Sequence, residues 1–214
     1  MSSRTGNTVQ LLIPFAGICL FVLLYLMASF LYPGGSHRFE SAKEFSWIHN
    51  YWCDLLDIRA RNGSPNTARP VAIMASMILC ISLIYFWFYF TVIYDSNGGL
   101  VIRYSGILSS LSMMFLFNGP HDLVINLSST LGLIAITGAL LILSRERIYT
   151  LFSLGLFCLV LCIINNYIYF TGNFLNSLPV VQKISFFIFL LWFCLLDIQI
   201  YKKSIALEKR RRSQ

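Results

Sequence analysis

Two imidazoles and two carboxylates, those of His49, Asp54, His121 and Asp122, are the side chains of this sequence best equipped for chemistry. Such a set can bind a divalent metal, since zinc takes histidine nitrogen and aspartate oxygen. It can also supply an acid–base pair. The spacing demands neither. The sequence has no HExxH, no Asp-rich motif and no phosphatase-type Lys/Arg–His–Ser pattern. His121 can equally be a helix-end residue ordered by Asp122. A divalent metal is therefore a candidate without a committed ligand set, and no cofactor is committed.

His49 and Asp54 belong to the densest polar and aromatic stretch, FSWIHNYWCDLLD at 45–57. It lies between two apolar runs. Ser41-Ala42-Lys43-Glu44 has the form of a capping box, which predicts a helix from about 42 to 59. On that helix Ile48, Trp52, Leu55 and Leu56 share one face. Asn50, Asp54, Asp57 and Arg61 share the other, with His49 and Cys53 beside it. Such a segment is too short and too polar to span a bilayer, and suits the interface. Asp57 and Arg61 are spaced to pair along it.

The elements that must position these groups follow from composition. The 214 residues are 57% hydrophobic and 12% charged, with mean hydropathy +0.71. Soluble domains carry roughly 25% charged residues, so the chain reads as an integral membrane protein. Apolar runs at about 9–32, 70–94, 100–117, 123–143, 149–171 and 179–201 approach the roughly 20 residues a helix needs to cross a bilayer core. The expected fold is all-α, a single membrane domain over 1–214 with six transmembrane helices and one amphipathic interfacial helix. Arg103, near the start of the third run, can snorkel to the headgroups. The first run is longer than a signal peptide's apolar core and is expected to be retained. Five of the six cysteines fall in apolar runs, and no disulfide framework is expected.

Lys202, Lys203 and Lys209–Arg212 make a basic tail over 202–214, which places it in the cytoplasm. Six spans then put the N-terminus inside as well, and the 33–69 loop outside, despite its Arg38, Lys43, Arg59, Arg61 and Arg69. A bacterial cytoplasmic membrane is the expected location. The net charge of +7 suits anionic lipid rather than nucleic acid in this setting.

With that topology, the polar residues within or beside the spans gather on the outer side: Asn118, His121, Asp122, Asn126, Asn165 and Asn166. Asp197 and Gln199 lie near the inner interface. Polar groups in hydrocarbon usually face a bundle interior or a cavity. The one-sided set implies either an outward-facing cavity roofed by His49, Asn50, Asp54 and Asp57, or a helix-to-helix hydrogen-bond network. His37, in a Gly/Ser turn, is expected to be solvated. Ser105, Ser109 and Ser112, with Gly132 and Gly138, suggest close helix packing.

The turn Tyr32-Pro33-Gly34, the segment Cys53-Asp54-Leu55-Leu56, the following Gly63 and Asn66, and His121 at the third-to-fourth junction together resemble a bacterial six-helix membrane family known as DUF 998. That family is distantly similar to the DRAM/FRAG/Sfk membrane proteins. The resemblance implies six helices and an outward site, and no reaction.

The leading expectation is a non-transporting six-helix membrane protein whose outward pocket holds a lipid headgroup or small polar ligand, with no reaction committed. An intramembrane metal- or His/Asp-dependent lipid hydrolase is the alternative. A small transporter is the third, disfavoured because a transport path needs polar lining through both leaflets. The sequence sets no oligomeric state.

Overall fold

The computed structural model describes residues 8–94, 96, 98–117 and 121–213, without the side chains of Thr8, Val9, His121 and Asp122. Asn118, Gly119 and Pro120, and the His121 and Asp122 side chains, lie outside the described residues. The described chain is all-helical. α1 is Ile13–Leu31, α2 Arg69–Ile93, α3 Gly99–Met113, α4 His121–Arg145, α5 Tyr149–Thr171 and α6 Leu178–Arg212.

All these helices except α3 fall in segments long and apolar enough to cross a membrane. The third apolar run yields 15 helical residues, about 22 Å at about 1.5 Å per residue. A bilayer core is roughly 30 Å thick. Turns carry the chain from Met114 to Phe117. α6 departs in the other direction, with 35 residues that run through the basic tail. Good helix formers continue it, and four basic residues in its last turn complement the negative end of its dipole.

The helices alternate in direction between two ends. At one end Lys203 of α6 pairs with Glu146, just past α4, at 2.7 Å. Its ammonium also sits 3.9 Å from the ring centroid of Tyr94, just past α2. Here Asp197 of α6 accepts a hydrogen bond from Phe15 N in the first turn of α1, at 3.1 Å. This is the basic end. At the other, the loop end, Tyr25 of α1 donates to Trp52 O at 3.1 Å.

Between the ends the core is aromatic. Phe86, Phe90, Trp192 and Phe193 are all but sealed from solvent, and Phe86 meets Phe193 edge-on at 4.8 Å. Small residues set the tightest contacts. A Cβ on Gly138 of α4 would fall into the Ile102 side chain of α3. Ser109 of α3 donates to Ser128 O of α4 at 2.7 Å. Arg103 does not simply snorkel: its Nε donates to Thr91 Oγ1 of α2 at 2.7 Å. All six cysteines are free thiols.

The helix expected over 42–59 is absent. The segment is a series of turns with one short 3-10 helix, Trp52–Leu55. Side chains compete here with helical hydrogen bonding. Asn50 Oδ1 accepts Ser46 N at 2.9 Å, Ser46 Oγ accepts His49 N at 3.2 Å, and Asp54 Oδ2 accepts Tyr51 N at 3.0 Å. The Ala42 carbonyl, in the would-be capping box, instead accepts Gly35 N at 2.7 Å. Leu55 and Leu56 are buried as their apolar character requires, but Ile48 is 60% exposed.

Candidate functional site

The loop folds into a cap because its polar side chains satisfy its backbone. Asn66 Nδ2 reaches the carbonyls of Asp54, Leu55 and Asp57 at 3.0, 3.2 and 2.9 Å. Gly35 has φ +83, and a Cβ there would strike the backbone of Asn62. The turn that brings 34–35 against 61–62 therefore needs glycine.

Asp54 is the hub and is 1% exposed. Arg61 donates to its Oδ1 through Nε at 3.0 Å and Nη2 at 2.8 Å. Asn50 Nδ2 donates to its Oδ2 at 2.9 Å, and also to Gly35 O at 2.9 Å. His37 Nε2 lies 3.5 Å from Oδ1, so this imidazole joins the network although its side chain is 44% exposed. Arg61 also reaches Asp57 at 3.4 Å. That pair forms across a turn rather than along a helix.

Lys183 of α6 completes the cap, a residue outside the polar set expected from the sequence. It is buried. It donates to Asn50 O and to Pro179 O at 3.0 Å, with the Phe45 ring centroid 5.7 Å from Nζ. A lysine five positions into an apolar run was the available signal, since an intramembrane cation needs a partner.

Asn50 and Asp54 thus meet, in a network closed by protein groups. His49 is half-buried beside the Phe39 ring, at 5.2 Å. Asn165 of α5 donates to Ser185 Oγ of α6 at 2.7 Å, a helix-to-helix contact. Asn126 and Asn166 are exposed on their helices, and Asn166 bonds back to Cys162 O at 2.8 Å. Asp197, expected to reach the interface, is instead buried at the first turn of α1, where free N–H groups await an acceptor. Among the described residues no three His, Cys, Asp or Glu side chains gather as a metal site.

An open cleft of about 560 Å³ does lie at the loop end. Cys53, Leu56, Asp57, Ile58 and Arg59 form one wall, and Leu116 and Phe117, beyond α3, form the other. Arg69 ties the walls together, donating to Leu56 O at 3.0 Å and Phe117 O at 3.2 Å. Ile58 is 72% exposed. Burial pushes the Cys53 thiol up to about 11, reinforced by the Asp54 and Asp57 carboxylates. It is therefore a poor nucleophile near neutral pH.

Comparison with models of protein families, with curated proteins and with solved structures returned no match. The chemistry of the site therefore rests on its geometry.

Proposed function

We propose that this membrane protein binds the headgroup region of a zwitterionic phospholipid in the loop-end cleft, without catalysing a reaction. One observation carries the reading. The cleft joins an apolar surface, Leu56, Ile58, Leu116 and Phe117, to an acid and a base, Asp57 and Arg59. A phospholipid presents the same combination of acyl carbons, phosphate and ammonium. The buried cap network is structural, and holds the wall that carries Asp57 and Arg59.

In this reading all six helices cross the bilayer. α3 crosses as the shortest, helped by the turns to Phe117. Both termini are cytoplasmic and the cap is outside. The loop's basic residues fit that orientation, because Arg61 is paired with carboxylates and Arg69 is held on carbonyls. Membrane-impermeant thiol labelling of Ser41→Cys and Ser213→Cys tests it. Position 41 reacts in intact cells and position 213 does not; the reverse pattern overturns the orientation.

The binding test uses the purified full chain, delipidated and titrated with phosphatidylethanolamine, with retained lipid counted by native mass spectrometry. Arg59→Glu is expected to lower retention about fivefold or more, since it replaces the phosphate's cation with an anion. Retention equal to wild type overturns the proposal.

A further inference from the structure

A second recess lies at the opposite end of α3. Because α3 has 15 residues beside the 25 of α4, the longer helix extends past it and leaves an open cleft of about 530 Å³. Ligand pockets run roughly 300–1,000 Å³. The walls are Val101 and Ile102 of α3 and Ile134, Thr137 and Leu141 of α4, with Arg145 at the end of α4. Most of this surface is apolar.

The polar groups collect where α3 begins. Ser96 lines the cleft, and its hydroxyl oxygen is buried without a hydrogen-bond partner among the described residues. Gly98, in the left-handed region at φ +98, turns the chain into α3 and lines the same end. Arg145 is exposed, and no ion pair engages it among the described residues. The neighbouring Glu146 is taken by Lys203 at 2.7 Å. A guanidinium therefore stands at the open end of an apolar trough, with the buried Ser96 hydroxyl behind it beside the positive end of a helix dipole.

We infer that the α3–α4 cleft at the basic end holds one anionic phospholipid, its phosphate on Arg145 and an acyl chain along Ile102, Ile134 and Leu141. Charge complementarity selects this occupant. A neutral acyl chain alone leaves the Arg145 guanidinium without an anionic partner. A soluble anion leaves the trough uncovered. This site is separate from the loop-end cleft, and neither proposal depends on the other.

The test titrates the delipidated full chain with phosphatidylglycerol or phosphatidylcholine and counts bound lipid by native mass spectrometry. Wild type is expected to keep one phosphatidylglycerol in preference to phosphatidylcholine. Arg145→Gln should weaken phosphatidylglycerol about fivefold, the loss of one cation near an anionic headgroup, and leave phosphatidylcholine unchanged. Thr137→Trp, which fills the trough from an exposed position, should reduce phosphatidylglycerol at least as much. Arg147→Gln removes a nearby charge outside the cleft and should change neither lipid. Thermal melting of each variant confirms an intact fold, and a variant that melts early is replaced by Arg145→Lys, which should retain binding. Wild-type affinity in Arg145→Gln or Thr137→Trp overturns the site. Equal losses in Arg145→Gln and Arg147→Gln also overturn it, because they indicate diffuse attraction to a basic surface.

Discussion

At the loop end, Asp54 collects four donors from Asn50, Tyr51 and Arg61. At the basic end, Asp197 takes one backbone donor, Phe15 N. Both acids are 1% exposed. Asp54 organises a stretch of chain with little regular structure, where side chains must satisfy what a helix would satisfy by itself. Asp197 supplies one acceptor to the first turn of α1, a regular helix whose backbone hydrogen-bonds mostly within itself. Burial of a carboxylate therefore distinguishes neither a reactive group nor a binding group here. The number of backbone and side-chain groups that depend on it tells how much structure fails when it is removed.

The comparison is broken most directly at Asp54. Asp54→Ala leaves the Arg61 guanidinium, the Asn50 amide and Tyr51 N without their acceptor. Breaking a buried ion pair costs about 3–5 kcal/mol. The Arg61 side chain is 37% exposed, so water compensates part and about 3 kcal/mol is expected. Local opening of the cap then rises on the order of a hundredfold. Trypsin cleavage after Arg59 or Arg61 in nanodisc-embedded protein should accelerate accordingly, while far-UV circular dichroism keeps its helical signal. Unchanged cleavage means that Asp54 does not organise the cap.

Asp197→Leu tests the other end with a smaller effect. It orphans one part-buried N–H, which costs about 1 kcal/mol, the low end of the range for a buried group, and leaves α1 otherwise intact. Melting of the solubilised protein should fall, and Asp197→Asn should recover most of the loss because an amide oxygen still accepts. Tryptic cleavage in the cap should match wild type. Accelerated cap cleavage in Asp197→Leu would show that the ends are coupled through α1 and α6.

Composition and run length made the helical membrane class legible, because excluding water from apolar helices leaves few alternatives. The cap was legible in its parts and not in its assembly. The run from Phe45 to Asp57 has the spacing of an amphipathic helix. Asn50 and Asp54 also carry the side chains that compete with helical hydrogen bonds, and the Asn50 partners Gly35 and Lys183 lie 15 and 133 positions away. Local pattern does not reveal which of these two tendencies wins. The same distance hid Lys183, whose acceptor lies 133 positions earlier. The loop-end cleft drew on Asp57 from the polar set, while Leu116, Phe117 and Arg59 carried no sign of it. Their meeting depends on where a short α3 stops.

Cys53 offers the gentlest probe of the cap, since it reports packing without altering it. Its thiol is raised to about 11 from an ordinary 9.0, first by burial and then by Asp54 and Asp57. Only the thiolate is alkylated. At pH 8 the folded protein should hold about a hundredfold less Cys53 thiolate than the unfolded chain. Iodoacetamide labelling, read by mass spectrometry of the 53-containing peptide, should be slower by a similar factor than in denaturant. The linkage has a definite sign. The folded value lies above the unfolded one, so this group's contribution to stability is complete below about pH 9 and is lost as pH rises toward about 11. In Asp54→Ala one of the two charges that raise the thiol is gone and the cap opens more often, so labelling should speed up. A wild-type Cys53 that reacts as fast folded as unfolded would show the loop-end wall to be open around its half-buried thiol, and the contrast between the two ends would fail beside Asp54.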